Sequence, residues 1–324
     1  MAIPSSLSDA ARASKQPATG DIVDKLTAGV QQADTARQRR RIAGGAATDR
    51  IYRRICTKTG HAAVIGFTGA PGAGKSTLID AYIGALRTRA RTVAVAAVDP
   101  SSPIFGGAIL GDRVRMRRHA EDAGVFIRSV ASRGHLGGLS ESIHRIVDVM
   151  DAAGRDIVIV ETVGTGQSEV EVAEIADICV VVNAPNMGDD VQAMKAGVLE
   201  IADVLVVNKA DLPLARRTTD QLTGMLKLRH EKREVPILET VAIKDIGIEP
   251  LLSTIDALLA ARAGDKKKNR ARRMRRLIAQ AAGRIVHDQV GRHAGHGMDN
   301  LVKAAASGEI GVAEAALEAL KVVR

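Results

Sequence analysis

Residues 69–77, GAPGAGKST, combine glycines, a lysine and two hydroxyl side chains at the spacing of a phosphate-binding loop. They follow an apolar run, VIGF, and precede a stretch with helical periodicity, which is the context that such a loop requires. The glycines let the backbone wrap closely and turn N–H groups toward phosphate oxygens, and the helix adds the positive end of its dipole. The predicted phosphate-binding residues are Gly69, Ala70, Pro71, Gly72, Ala73, Gly74, Lys75, Ser76 and Thr77.

A magnesium ion is expected beside this loop. Lys75 would reach the β- and γ-phosphates, and the Ser76 hydroxyl is an oxygen ligand of the kind that Mg²⁺ prefers. Asp99, in DPSSP after the run AVAAV, and Asp112, in ILGDRVRM, are candidates to hold the ion directly or through water. A turn or helix cap at Asp99 and an ion pair of Asp112 with a neighbouring arginine remain open as alternatives.

The stretch ETVGTGQSE begins with an acidic residue, Glu161, at the end of the apolar run DIVIV. This is where the second acidic motif of a phosphate-binding-loop protein is expected. Because glutamate is one methylene longer than the usual aspartate, Glu161 would act on Mg²⁺ through a water or orient the attacking water. Gly164 could donate its backbone N–H to the γ-phosphate, and Gln167 is a candidate for positioning the water.

Base recognition is predicted at NKAD, residues 208–211, which follows the run VLVV. The Asp211 carboxylate can accept hydrogen bonds from guanine N1–H and the 2-amino group, while Asn208 and the stem of Lys209 frame the ring. Adenine offers no such pair of donors, so the carboxylate would be left unsatisfied against it. The sequence therefore predicts GTP and GDP as ligands rather than ATP.

Seven short apolar runs alternate with amphipathic stretches along the chain. The strands and helices that they form must position the candidate phosphate-, magnesium- and base-binding residues. Such an alternation predicts an α/β fold with a mostly parallel, doubly wound sheet, that of a P-loop NTPase. Only 2% of the residues are aromatic and none is tryptophan, so Val, Ile, Leu and Ala must fill the core. The predicted strands are AAVIGF, TVAVAAV, VFIRSV, DIVIVE, ICVVVN, VLVVN and VPILETV; helices are expected over residues 75–89, 140–153, 189–200, 218–231 and 248–262.

The chain is expected to have three parts. Residues 1–60 form a disordered tail followed by N-terminal helices, residues 61–263 form the nucleotide-binding domain, and residues 264–324 form a C-terminal helical arm. Within this arm, GRHAGHGMDN, residues 291–300, indicates a break, and a helical pattern resumes over residues 302–323. The arm lacks the apolar residues for a core of its own, so we expect it to pack on another surface, such as a second copy of the chain.

Charge and cysteine content limit the class of protein. The net charge is +9, and basic residues cluster within residues 37–54 and 266–276. These clusters suit solvated helix faces or an acidic protein partner better than nucleic acid, because no aromatic side chains interleave with them as stacking platforms. The two cysteines lack C-x-x-C spacing, and no apolar run approaches the length of a membrane span. A cytoplasmic protein without a membrane anchor is expected.

Taken in order along the chain, these motifs resemble those of one family. The series GAPGAGKST, VDPSS, GGAILGDRVRM, SRGHLGGLS, ETVGTGQSE, GDDVQAMKAG and NKADL is similar to that of the MeaB/ArgK-type G proteins. These are GTPases associated with methylmalonyl-CoA mutase, of the SIMIBI class that also includes metallochaperone and signal-recognition GTPases. The resemblance is dense over residues 65–211 and weak after residue 264.

The resemblance implies a homodimeric GTPase chaperone whose C-terminal arm serves dimerization. Such a protein binds an adenosylcobalamin-dependent acyl-CoA mutase, most often methylmalonyl-CoA mutase. It gates cofactor delivery by GTP hydrolysis and protects or reactivates the mutase. GTP, GDP and Mg²⁺ are the implied ligands.

The family's functional positions map onto named residues of this chain. Asp99, Asp112 and Glu161 would form the magnesium and switch region. Residues 183–197, with Asp189, Asp190 and Lys195, match an additional switch that couples partner binding to hydrolysis. The loop that closes over guanine usually reads Ser-Ala; here its residues are Val241, Ala242 and Ile243, so the serine hydroxyl is missing.

The sequence leaves three alternative functions. A related metallochaperone GTPase, for nickel or another metal, would need a Cys/His metal-binding tract. His287, His293 and His296 lie near each other in sequence, but they are not part of a constellation of cysteine or acidic ligands. An ATP-dependent kinase conflicts with NKAD, and a nucleic-acid-binding module would depend on the basic clusters alone.

Overall fold

Seven strands form one sheet in which every neighbouring pair runs parallel. The computed structural model describes residues 52–99, 116–131, 141–162, 167–185, 196–228, 233–291 and 296–322. The strands are β1 (Ala63–Thr68), β2 (Val93–Asp99), β3 (Val125–Ala131), β4 (Ile157–Glu161), β5 (Ile178–Asn183), β6 (Val204–Asn208) and β7 (Ile237–Thr240). The predicted parallel sheet is confirmed, with one strand for each of the seven apolar runs.

The strand order is β3-β2-β4-β1-β5-β6-β7, which places β1 at the centre of the sheet with three strands on each side. From β1 the chain builds one side of the sheet with β2, β3 and β4, and then the other side with β5, β6 and β7. Ligands of such open sheets bind beyond the carboxyl ends of the strands, where the order reverses. The loop after β1 lies at that position.

Nine helices are described completely within the ranges given above. They are α1 (Lys75–Thr88), α2 (Glu141–Ala152), α3 (Gln167–Ile175), α4 (Ala196–Ile201), α5 (Ala215–Lys227), α6 (Ile248–Ala261), α7 (Lys266–Val290), α8 (His296–Ser307) and α9 (Val312–Val322). A helical segment at residues 52–56 precedes them. Of the helices in these ranges, none is long and apolar enough to cross a membrane.

Both faces of the sheet are buried. Along β1, Val64 packs into the core on one face, while Ile65 and Phe67 pack into the core on the other. The second core includes α1, where the Tyr82 ring lies 5.7 Å from that of Phe67. Burial on both faces explains why the strands read as continuous apolar runs rather than as alternating ones.

Several element boundaries differ from the predicted ones. Helix α5 begins at Ala215, three residues before the predicted start, and α3 occupies a stretch for which no helix was predicted. The pattern over residues 302–323 is two helices, because Gly308, with φ of +76°, ends α8. Helix α8 already begins inside the predicted break at 291–300. The predicted tail and first helix, up to residue 51, lie outside the described residues.

A buried carboxylate fixes the chain where it enters β1. Asp151, at the end of α2, accepts hydrogen bonds from the backbone N–H groups of Gly60, His61 and Ala62, at 2.5, 3.1 and 2.9 Å. These donors would otherwise be unsatisfied beside a buried strand. Residues 60–62 are therefore attached to α2 where the chain enters β1.

The contacts divide the chain into two units, with the boundary after Arg270, inside α7. In the second unit α8 and α9 pack against each other, and Met298 of α8 and Ala319 of α9 are buried. The same unit exposes large aliphatic side chains on each of its helices: Ile278, Ile285, Val302, Val312 and Leu317. The three-part division expected from the sequence stays a prediction.

Candidate functional site

The loop between β1 and α1 approaches its neighbours so closely that two of its positions require glycine. Gly69 has φ of +132°, and a Cβ atom there would lie 2.0 Å from the carbonyl oxygen of Val182 in β5. Gly74 has φ of +87°, and its Cβ would lie 2.5 Å from Nδ2 of Asn208 in β6. The loop is thus enclosed by the carboxyl ends of three neighbouring strands.

Two lysine ammonium groups lie against this loop. Lys75 Nζ donates to the carbonyl oxygens of Gly69 and Ala70, at 2.8 and 3.0 Å. Lys209 Nζ donates to the carbonyl oxygen of Gly72 at 2.8 Å. The backbone of Lys209 is left-handed, with φ of +59°, immediately after β6. The loop therefore gathers positive charge from its own lysine and from the NKAD motif.

Two buried oxygens meet at the beginning of α1. Ser76 Oγ lies 2.7 Å from Glu161 Oε1 and donates a hydrogen bond to it, and both residues are buried. Glu161 ends β4 at a position paired with Phe67 of β1 and with Ala97 of β2. The two oxygens are close enough for one Mg²⁺ to contact both at about 2.1 Å. The residues present therefore fit a magnesium ion.

The end of β4 is held against the entry to the loop by hydrogen bonds. Thr162 N donates to the carbonyl oxygen of Phe67 at 3.0 Å, and Thr162 Oγ1 donates to Thr68 Oγ1 at 2.9 Å. Both threonines are fully buried. These bonds continue the pairing of β4 with β1 one residue beyond Glu161, which fixes the height of Glu161 relative to the loop.

Other predicted switch and metal residues are placed only in part. Asp99 ends β2, two residues beyond Ala97, which is paired with Glu161; the structure describes its backbone only. Gln167 is the first residue of α3, again with its backbone alone described. The remaining predicted positions lie outside the described residues: Asp112, Gly164, Asp189, Asp190 and Lys195.

A short 3-10 helix, Arg117–His119, is bound to the helix that follows the phosphate-binding loop. Arg118 Nε forms an ion pair with Asp80 Oδ2 of α1 at 2.9 Å, and His119 Nε2 lies 3.0 Å from the Asp80 carbonyl oxygen. Asp80 stands one helical turn after Ser76. Arg118 and His119 are therefore anchored to α1, one helical turn after Ser76.

Asn208 joins three parts of the site. Its Nδ2 donates to the carbonyl oxygen of Ala73 at 3.0 Å, and its Oδ1 accepts from Thr240 Oγ1 at 3.1 Å and from the backbone N–H of Ala242 at 3.2 Å. The residue is 2% exposed, so these bonds form without competition from water. The position of the base-recognition motif is thus fixed relative to both the phosphate-binding loop and the loop after β7.

The acidic residue of NKAD has a cationic partner that sequence reasoning missed. Lys244 Nζ donates to Asp211 Oδ2 at 2.9 Å, and this hydrogen bond holds the pKa of the Asp211 carboxyl below its usual range. Ala242–Lys244 form a short 3-10 helix after β7. Of the three residues predicted to close over guanine, Ala242 contacts Asn208, whereas the Ile243 side chain is exposed.

Comparison with known proteins identifies the family of this site. Residues 31–296 match the family described as methylmalonyl-CoA mutase-associated GTPase MeaB. The match includes every residue of the site described above.

Individual relatives agree with this match. A protein of Pyrococcus abyssi that is named as a GTPase is 46% identical over 247 residues, which are 74% of this chain and 76% of the relative. The GTPase ArgK of Escherichia coli is 41% identical over 202 residues, 60% of this chain and 61% of its own. The mouse methylmalonic aciduria type A homolog, mitochondrial, is 39% identical over 174 residues, which cover 53% of this chain and 42% of the mouse protein.

A solved structure supports the fold. The crystal structure of an LAO/AO transport system kinase superimposes with a TM-score of 0.66 at 24% identity, and the match covers 94% of this chain and 97% of the other. At this identity the likeness concerns the fold alone.

Proposed function

The chain belongs to the MeaB family of methylmalonyl-CoA mutase-associated GTPases, and on this basis we propose that it is a GTP-dependent chaperone of an adenosylcobalamin-dependent acyl-CoA mutase. The chain is a GTPase, as the family and its named relatives are. The finer proposal is that methylmalonyl-CoA mutase is its partner. We further propose that GTP binding and hydrolysis control when adenosylcobalamin is loaded onto the mutase, and that the protein protects or reactivates the mutase. The name of the mouse relative, which refers to methylmalonic aciduria, supports this partner.

The proposed base site consists of Asn208, Lys209 and Asp211. The Asn208 side chain holds two loops around the base, because its amide contacts both the phosphate-binding loop and the loop after β7. Asp211 accepts the N1–H and 2-amino donors of guanine. An adenine in the same place would leave the carboxylate unsatisfied, and sites built around such hydrogen bonds reject ligands that lack the matching group strongly.

Hydrolysis is proposed to depend on charge stabilisation at the loop. Lys75 leaves the carbonyl oxygens of Gly69 and Ala70 to contact the β- and γ-phosphates, and the loop N–H groups and the N-terminus of α1 add to the positive potential. Ser76 and Glu161 would hold Mg²⁺, with Glu161 contacting it directly or through a water. When bound, the ion neutralises charge on the phosphate oxygens.

The remaining predicted switch residues are proposed to respond to the nucleotide and the partner. Asp99 and Asp112 would complete the magnesium region, while Gly164 and Gln167 would sense the γ-phosphate and position the attacking water. Asp189, Asp190 and Lys195 would couple contact with the mutase to hydrolysis. The support for this assignment is the order of the motifs along a chain that matches the family over residues 31–296.

A homodimer through the arm at residues 264–324 is also part of the proposal. Exposed aliphatic side chains such as Ile278, Ile285 and Val302 would be covered in a dimer, which removes apolar surface from water. Light scattering with and without GDP tests this proposal directly. A dimer is expected, and a monomer under both conditions would contradict it.

The observation that carries the proposed function is that the chain of a family member brings the phosphate-binding loop, the Ser76–Glu161 pair and the hydrogen bonds of Asn208 together in one site. The experiment measures transfer of adenosylcobalamin to apo methylmalonyl-CoA mutase in the presence of the protein with GTP, GDP or neither. We expect transfer to depend on which nucleotide is bound, and Lys75→Ala to abolish the difference. Transfer at the same rate under all conditions would contradict the chaperone function.

A further inference from the structure

The carboxylate that is proposed to read guanine is held by Lys244. The 2.9 Å contact joins residues 33 positions apart in the chain. Val241, at the start of the loop after β7, has no hydrogen-bond donor in its side chain. Lys244, three residues later, supplies a donor to Asp211 from the same loop.

The loop backbone fixes where Lys244 stands. Val241 and Ile246 form an isolated antiparallel bridge on either side of the 3-10 helix. Asp245, which follows this helix and precedes Ile246, is left-handed, with φ of +54°. The N–H of Ala242 is bound to Asn208 at 3.2 Å. The loop is therefore closed by this bridge and attached to Asn208, the first residue of NKAD. These contacts place Lys244 next to Asp211.

We propose that Lys244 is a positioning residue that sets base specificity by orienting the Asp211 carboxylate. The proposal rests on the proposed guanine site. Each carboxylate oxygen can accept two hydrogen bonds, so Oδ2 can bind Lys244 and still accept one donor of guanine. A carboxylate held in this way keeps both oxygens turned toward N1–H and the 2-amino group.

Discrimination between guanine and hypoxanthine should depend on the orientation of the Asp211 carboxylate. Guanine offers Asp211 two donors, whereas hypoxanthine, which lacks the 2-amino group, offers one. A carboxylate that rotates freely loses the two-donor arrangement first, so GDP binding weakens more than IDP binding. Because Lys244 and Asp211 are partly exposed, at 54% and 34% of their side chains, their contact is also weakened by salt.

The test measures dissociation constants of GDP, IDP and ADP by calorimetry for the full chain and its variants. Lys244→Gln is expected to weaken GDP binding about two- to fivefold, the range of an exposed ion pair, with a smaller effect on IDP. Lys244→Arg should retain most of the GDP preference. Lys227→Gln, at an exposed lysine at the end of α5, should change nothing.

Salt provides a second, mutation-free readout. At high salt, where the Debye length falls to about 3 Å, the GDP/IDP affinity ratio of the unaltered protein should fall toward that of Lys244→Gln. The ratio of Lys244→Gln itself should change less.

Two results would overturn the proposal. One is a GDP/IDP ratio that Lys244→Gln leaves unchanged. The other is an equal loss of GDP, IDP and ADP binding together with a lower melting temperature, since this would show that Lys244 only supports the loop. Neither result bears on delivery of adenosylcobalamin to the mutase, which the transfer experiment measures separately.

Discussion

Ser76 of α1 and Glu161 of β4, 85 residues apart in the chain, share a 2.7 Å hydrogen bond at the carboxyl end of the sheet. The pairing of β4 with β1 produces this contact, because it places Glu161 level with Phe67, next to the start of the phosphate-binding loop. The loop and the acidic strand end are therefore assembled by the sheet itself. A glutamate can serve here because the serine hydroxyl lies within its reach.

The charge of Glu161 is predicted to be needed for hydrolysis. Glu161→Gln keeps the length of the side chain and an oxygen for Ser76 but loses the negative charge. We expect the rate of GTP turnover to fall by about 10²-fold or more, with GDP binding in EDTA retained. Turnover measured with and without the mutase separates an intrinsic role from one that requires the partner. An unchanged rate in both conditions would remove Glu161 from the mechanism.

Asn208 is predicted to support both nucleotide binding and stability. Asn208→Ala removes its hydrogen bonds to Ala73, Thr240 and Ala242 and leaves buried groups unsatisfied, so the free energy of unfolding should fall by about 2–3 kcal/mol. GDP affinity should fall with it. Asn269→Ala is the matched control, because Asn269 donates a 3.1 Å bond to Asp177 at the opposite end of the sheet. If this control weakened GDP binding equally, the local role of Asn208 would be refuted.

Gly69 is predicted to tolerate no side chain. In Gly69→Ala the new Cβ would meet the Val182 carbonyl oxygen at 2.0 Å, in a backbone conformation with φ of +132°. We expect loss of nucleotide binding and a lower melting temperature. Gly224→Ala in α5 has open space around its Cβ and should be neutral or stabilising by about 0.5–1 kcal/mol. Equal melting temperatures for both variants would contradict the packing described for the loop.

The ion pair of Arg87 with Asp122 predicts a pH-dependent contribution to stability. The 2.8 Å contact holds the pKa of Asp122 below its usual range. A depressed carboxyl pKa contributes stability above the unfolded pKa, about 3.9, and this contribution is lost as the pH falls through the folded value. Asp122→Asn should therefore lower the free energy of unfolding by about 1 kcal/mol near neutral pH.

Urea titrations of both proteins at neutral pH and near the unfolded pKa provide the measurement for this pair. The difference between Asp122→Asn and the unaltered protein should shrink in the acidic titration. A difference that grows with acidity would show that the ion pair has been assigned the wrong sign.

Features that depend on local sequence could be predicted. Because Gly69 approaches β5 closely, the sequence has a glycine-rich loop at this place. Strands that are buried on both faces appear in the sequence as unbroken apolar runs such as ICVVVN. Helix ends were predicted less well where no strong signal marks them. The start of α5 follows Leu214, which is left-handed with φ of +73° although it is not glycine.

Contacts between distant parts of the chain could not be predicted in the same way. The bonds of Asn208 to the loop after β7 and the ion pair of Lys244 with Asp211 join the ends of β6 and β7 or the loops that follow them. No periodicity in the sequence marks either pair. Lys244 stands in a segment, IKD, that resembles an ordinary solvated turn.

The rate of GTP hydrolysis by the full chain, measured alone and with methylmalonyl-CoA mutase, tests the proposed function most directly. We expect hydrolysis without the partner, a faster rate when the mutase is added, and no turnover in either condition for Lys75→Ala. A rate that no adenosylcobalamin-dependent acyl-CoA mutase changes would contradict the proposed coupling. Turnover that persists in Lys75→Ala would contradict the site itself.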